Sequence, residues 1–288
     1  MIVPFTYIQF HLAFLVPAVL FLIATGFVSR SSRGRADTGT DDRNLNGWRH
    51  YWAGVAGITV VALAYTTPWD NYLIARGVWW YGDGRTVLRI WRAPLEEYAF
   101  IVVQPWLTAL WLSHFDASVA WKRSARPVTS RAVGVVLAVG VGLAGWRLLG
   151  TDGGFYLGAV LAWSAPVLAL QWAVGAPQLW ARRRLVVLGT LVPALYLCVA
   201  DRIAIEFGVW VLSDRYTTGI TIGGLPIEEA TFFLVTNLFV VQGVVLYRLV
   251  TVRWASKTTA DGQPPDRRPS DRTPDDDPKR APVDPGDD

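Results

Sequence analysis

Apolar residues in this chain come in long, nearly unbroken runs rather than in the short alternations of a soluble fold. Crossing a bilayer takes about 20 mostly apolar residues in a helix. Seven runs approach or reach that length, at approximately Val3–Val28, Tyr51–Pro68, Leu95–Leu112, Ala132–Leu149, Phe155–Val174, Leu185–Phe207 and Pro226–Val252. The pattern predicts an all-α integral membrane protein with seven transmembrane helices. The first run reads as a span rather than a signal peptide, because no basic residue precedes it and Arg30, Arg33 and Arg35 follow it. Beyond the last run the pattern stops. Residues 256–288 are rich in Pro, Asp and Arg and carry no apolar periodicity, so a disordered polar tail is expected there.

Charge gives these runs a direction. Only 17% of the residues are charged, against roughly 25% in a soluble domain. The loops after runs one, three, five and seven, with the end of run seven, hold Arg30, Arg33, Arg35, Arg43, Arg49, Lys122, Arg123, Arg126, Arg131, Arg182, Arg183, Arg184, Arg248, Arg253 and Lys257. The opposite side holds Arg76, Arg85, Arg89, Arg92, Arg147 and Arg215. The positive-inside rule then predicts a multi-pass protein of the cell membrane, N-terminus outside and C-terminus cytoplasmic. The net charge of +4 thus reports topology and membrane lipid as a partner, not nucleic acid. The lone Cys198 and the scattered His11, His50 and His114 offer neither a disulfide nor metal-ligand spacing. No phosphate-binding glycine loop or dinucleotide fingerprint is present, so no cofactor is expected.

The chain also repeats itself. Asp70-x6-Gly77-x-Trp79 recurs as Asp201-x6-Gly208-x-Trp210, and Pro94-Leu95-Glu96-Glu97 recurs as Pro226-Ile227-Glu228-Glu229. Phe100 matches Phe232, and Tyr7 precedes Pro17 by the same interval as Tyr156 precedes Pro166. Helices one to three (1–113) therefore correspond to helices five to seven (155–255), with helix four (114–154) as linker. One extra crossing between three-helix units makes the repeats parallel. Both Pro-x-Glu-Glu motifs then lie at one depth and can build one composite site.

A single Pro-x-Glu-Glu has an ordinary reading as a helix start: Pro fits the first turn, and Glu there complements the macrodipole. Duplication at matching positions, beside apolar spans where ionisable groups are costly, favours a functional reading. So does the parallel recurrence of Asp70 and Asp201. Adjacent helical residues point about 100° apart, so only one Glu of each pair can face a site squarely. Glu97 shares a face with Phe100, Ile101 and Gln104, and Glu229 with Phe232, Phe233 and Thr236. Glu97 and Glu229 are the expected inward pair, with Glu96 and Glu228 supporting or capping. In a dry site, paired carboxyls can divide into a proton donor and a proton acceptor.

Aromatic residues crowd both motifs: Trp69, Trp79, Trp80, Tyr81, Trp91, Tyr98 and Phe100 around the first, Phe207, Trp210, Tyr216, Phe232 and Phe233 around the second. An interfacial belt accounts for such rings. Cation–π stabilisation of a carbocation accounts for them as well, with the repeated pairs Trp79/Trp210 and Phe100/Phe232, and with Tyr98, as substrate-facing candidates.

The tandem Pro-Leu-Glu-Glu-Tyr and Pro-Ile-Glu-Glu, each preceded by Asp-x6-Gly-x-Trp, resembles the lycopene cyclase domain family over about residues 1–252. The two repeats are separate proteins in some actinobacteria, one chain in haloarchaea, and joined to phytoene synthase in fungi. This sequence resembles the single-chain form. The resemblance implies cyclisation of lycopene to γ-carotene and then β-carotene without net redox change, with Asp70, Glu96, Glu97, Asp201, Glu228 and Glu229 as the acid–base residues. It implies lycopene and carotenoid intermediates in the bilayer as substrates, and other carotenoid-biosynthesis enzymes as partners. Relatives that form ε or γ rings on fifty-carbon carotenoids stay open as an alternative. A retinal-binding protein needs a lysine in its last span, whereas Lys122, Lys257 and Lys279 all lie outside spans. A proton-coupled transporter would share the intramembrane acids and repeats but needs a hydrated path. A non-catalytic membrane partner of a carotenoid enzyme complex is a third rival.

Overall fold

The computed structural model describes residues 5–34, 41–115 and 127–261. Arg35, Lys122, Arg123, Arg126 and residues 262–288 of the polar tail fall outside the described residues. So do the side chains of Arg30, Arg33, Arg43, Arg253 and Lys257. The chain divides into two units, Met1–Leu249 and Val250–Asp288. The second is described as far as Asp261 and is helical to that point, past Ser256 where the polar composition begins.

Seven helices are present among the described residues. Helix α1 is one continuous run made of Tyr7–Phe10, a π-helical turn His11–Leu15, and Val16–Gly34. Then follow α2 (Asp41–Arg76), α3 (Leu95–Leu112), α4 (Pro127–Leu149), α5 (Phe155–Ala181), α6 (Arg183–Glu206) and α7 (Ile227–Asp261). Among the described residues, five of these are long and apolar enough to cross a membrane: α1, α4, α5, α6 and α7. The other two are diluted, α3 by Glu96, Glu97 and Gln104, and α2 by its Tyr, Thr and Trp residues.

Local sequence explains the ends of these helices. Thr6 opens α1 with a capping box: its hydroxyl accepts from Gln9 N, and the Gln9 side chain accepts from Thr6 N. Helix α2 ends in a Schellman motif at Gly77 (φ 75), where Gly77 N donates to Ile74 O and Val78 N to Leu73 O. Helix α6 ends identically at Gly208 (φ 66), with Gly208 N to Ile205 O and Val209 N to Ala204 O. The glycine of Asp-x6-Gly-x-Trp therefore stops a helix, and the Trp starts a strand.

Those strands, β1 (Trp79–Tyr81) and β4 (Trp210–Leu212), pair antiparallel with Trp79 opposite Leu212 and Tyr81 opposite Trp210. Gly82 N to Val209 O and Ser213 N to Val78 O extend the ladder. Each chain then makes a small hairpin, β2 (Arg89–Ile90) with β3 (Ala93–Pro94), and β5 (Thr221–Ile222) with β6 (Leu225–Pro226). The second turns on Gly223 and Gly224, both left-handed. The first places Trp91 at φ 67, and Asn71 Oδ1 holds that turn by accepting Arg92 N and Ala93 N.

Helices α4 and α5 pack closely through small residues. A Cβ on Gly145 would stand 2.5 Å from Ala162 N, and one on Gly158 2.7 Å from Leu149 N. Helix α5 bends at Gly175 (φ −148), just ahead of Pro177. Apolar packing forms two clusters. One, around Tyr51, Val55, Leu112, Val241 and Leu249, joins α2, α3 and α7. The other, around Phe10, Leu73, Val78, Phe100, Tyr156, Leu197 and Phe233, surrounds the site.

Candidate active site

The Schellman ends, the β1–β4 ladder and the first turns of α3 and α7 meet around one pocket. Its wall includes Asp70, Glu97, Asp201 and Glu229. Asp70 and Asp201 come from the last turns of α2 and α6, seven residues before the stopping glycines. Glu97 and Glu229 come from the first turns of α3 and α7. All four carboxyls thus belong to the duplicated motifs.

Each glutamate is held by phenols. Tyr7, the first residue of α1, donates to Glu97 Oε2 at 2.9 Å, and Tyr81 of β1 donates to the same oxygen at 2.8 Å. Tyr156, near the start of α5, donates to Glu229 Oε1 at 2.8 Å. The backbone fixes these phenols: Tyr7 N bonds Arg85 O and Tyr156 N bonds Tyr216 O. Burial first, and then the neighbouring Glu97 carboxyl, push the Tyr81 phenol well above its ordinary value, so it remains an O–H donor. The aspartates are less satisfied. Oδ2 of Asp70 and Oδ2 of Asp201 are buried without a hydrogen-bond partner.

Aromatic rings complete the wall. Trp79, Trp210, Phe100 and Phe232 line the pocket, as do Phe10, Trp69 and Phe233. Trp69 stacks on Phe232 with centroids 5.8 Å apart, and Trp79 tilts against Tyr156 at 5.4 Å. Such rings offer π faces to a cation without acting as bases themselves.

Three residues expected at the site lie elsewhere. Glu96 and Glu228 are buried but turn back onto the preceding loops, where Glu96 Oε1 accepts Val87 N at 2.8 Å and Glu228 Oε1 accepts Thr218 N at 2.7 Å. Helical phase turns them away from the pocket, whose wall does not include them, in keeping with the supporting role expected of them beside Glu97 and Glu229. Tyr98 Oη accepts from Asn71 Nδ2 and donates to Ile90 O, securing the first hairpin rather than lining the pocket. Sequence reasoning passed over Tyr7, Tyr81 and Tyr156 as functional groups. The matched intervals from Tyr7 to Pro17 and from Tyr156 to Pro166 were the available signal for two of them.

The lycopene cyclase family matches residues 42–115 and 155–247. This chain belongs to the lycopene cyclase family. Each matched stretch carries one full set of motif acids, Asp70 with Glu96 and Glu97 in the first, Asp201 with Glu228 and Glu229 in the second. Relatives of this cyclase include the lycopene beta-cyclase of Halobacterium salinarum, 54% identical over 70% of this chain and 85% of the relative. The bifunctional lycopene cyclase/phytoene synthase of Phaeosphaeria nodorum is 36% identical over 66% of this chain and 35% of its own. That of Blakeslea trispora is 29% identical over 82% and 38%. The cyclase therefore spans little more than a third of those fungal relatives. No solved structure matches it significantly.

Proposed function

We propose that this chain is a lycopene beta-cyclase that closes the ψ ends of lycopene into β rings, through γ-carotene to β-carotene, without a cofactor. The convergence of Asp70, Glu97, Asp201 and Glu229 in one aromatic-walled pocket carries this reading. A carboxylic acid there gives its proton to C2 of the terminal C1=C2 bond, leaving a tertiary cation at C1. The C5=C6 electrons form the C1–C6 bond and move the cation to C5. A carboxylate takes the C6 proton, and the C5=C6 bond returns inside a six-membered ring. One proton enters and one leaves, so nothing is oxidised or reduced. Each ring facing the cation is worth on the order of 2 kcal/mol when water is excluded.

The polyene reaches this pocket from the bilayer in which it dissolves. Our reading has the chain as a fusion of two parallel three-helix repeats around linker helix α4, crossing the cell membrane seven times with N-terminus outside and C-terminus cytoplasmic. Domains of 1–113, 114–154 and 155–255 follow, ahead of the polar tail. The matched Schellman ends and the paired tyrosine–glutamate bonds support the repeat. Carotenoid-biosynthesis enzymes that make lycopene are its natural neighbours.

Expression in a bacterium that accumulates lycopene tests the function. Lycopene is expected to become β-carotene at unchanged mass, and Glu97→Gln and Glu229→Gln are each expected to abolish β-carotene. Persistence of lycopene beside well-expressed wild-type protein in the membrane would sink the proposal.

A further inference from the structure

The two halves of the pocket differ, and the difference centres on one residue. Aligned on Asp-x6-Gly-x-Trp, Trp79-Trp80-Tyr81 of β1 corresponds to Trp210-Val211-Leu212 of β4. Tyr81 therefore has no phenol as its counterpart. Glu97 Oε2 receives two phenolic bonds, from Tyr7 and Tyr81, whereas Glu229 receives one, from Tyr156. Since Tyr7 and Tyr156 are equivalent, the extra bond is that of Tyr81. The tryptophans divide accordingly. The Trp79 indole donates to Tyr81 Oη at 3.3 Å, extending a chain Trp79–Tyr81–Glu97. In the other half Leu212 offers the Trp210 indole no such acceptor.

Hydrogen bonds to a carboxylate favour its charged form, and O–H···O⁻ bonds are about twice as strong as neutral ones. In a pocket walled by rings, that difference of one donor separates two otherwise matched acids. Both donors fall on Oε2 of Glu97, which leaves Oε1 free of them. We infer that Tyr81 is the positioning residue that makes Glu97 the proton acceptor of the cyclisation and leaves Glu229 as the proton donor. The inference rests on the cyclase reading and deepens it. Glu97 is faced by Tyr7 from α1, Asp70 from α2, Tyr81 from β1, Asp201 from α6 and Glu229 from α7, with Glu96 beside it on α3. Only the two phenols among these give Glu97 a hydrogen bond, and only Tyr81 breaks the symmetry.

The chemistry separates donor from acceptor through products. Without the donor no cation forms, so lycopene persists. Without the acceptor the C5 cation still forms, and it loses its proton from C4 or from the C5 methyl to another oxygen. The ring is then ε or γ, at the same mass as the β product. Pigments of each variant are separated by chromatography from the lycopene-accumulating cells. Glu229→Gln is expected to leave lycopene unreacted. Glu97→Gln is expected to consume it slowly, with ε or γ rings in place of β. Tyr81→Phe is expected to lower β-ring formation about tenfold while raising the share of misplaced double bonds. Tyr156→Phe is expected to slow consumption with the ring type still β. A uniform loss of all products in Tyr81→Phe would reduce Tyr81 to a structural part and overturn the inference. The opposite pattern, with misplaced rings from Glu229→Gln and persistent lycopene from Glu97→Gln, would overturn it too. Should Glu97→Gln fail to accumulate, the ring ratio of Tyr81→Phe decides alone. A wild type that leaves lycopene untouched would instead refute the cyclase reading, a result distinct from either.

Discussion

A buried carboxyl must take its hydrogen bonds from protein, and the six motif acids do so in three ways. Glu97 and Glu229 accept phenols, Glu96 and Glu228 each accept a loop amide on one oxygen and keep the other buried without a partner, and Asp70 and Asp201 likewise each keep one buried oxygen without a partner. Different consequences follow for substitution. Tyr7→Phe removes one of two donors from Glu97 while keeping the ring in its stack with Tyr81. It is expected to lower kcat about tenfold with KM nearly unchanged, as steady-state assays on lycopene in detergent would register. Glu228→Ala leaves Thr218 N without its acceptor, so its effect belongs to stability. A loss of about 1–3 kcal/mol, seen as a lower midpoint in thermal unfolding of the solubilised protein, is the expected result. The distinction between Glu96 and Glu97 was legible in the sequence from the angular step between neighbours on a helix. The phenols were not, because Tyr7 and Glu97 lie 90 positions apart and no local pattern links them.

Among the elements, the short connections between helices carry most of the precision. Glycines in left-handed conformation stop α2 and α6, and the strands that follow pair with each other, bringing Trp79 and Trp210 to one wall. Gly77→Ala and Gly208→Ala each force a Cβ into that conformation. Each is expected to cost about 1–2 kcal/mol in thermal unfolding, and the two costs should be alike because the motifs are. The α4–α5 contact is of another kind. With Ala162 N 2.5 Å from a Cβ on Gly145, backbone meets backbone and no side chain can swing aside. Gly145→Val is expected to separate these helices and to reduce accumulation in the membrane, measured by quantitative blotting of membrane fractions. The glycine of each repeat was visible in the sequence as part of a motif. Its pairing role was hidden, because a three-residue strand such as Trp79–Tyr81 carries too little periodicity to predict a partner.

At the scale of the whole molecule, four carboxyls from four helices share one pocket, whereas lycopene has two ends to close. One pocket works on one end at a time, so γ-carotene is expected to appear free and to peak before β-carotene in a time course with the purified protein. Bicyclic product without released intermediate would mean that both ends are processed in a single encounter. What the chain determined by itself is whatever depends on near neighbours: apolar runs suited to a bilayer, glycines that end helices, acids that begin them, and the register of one half against the other. These follow from backbone sterics, helical phase and transfer energy, all of which act over a few residues. What only the tertiary structure decided is which groups meet. Tyr81 and Leu212 occupy equal places in the repeat, and only with the helices assembled does Tyr81 reach a carboxylate, where Leu212 has no group to offer one. The reason is that a hydrogen bond is set by the distance between side chains, and folding fixes that distance across segments that the sequence keeps far apart.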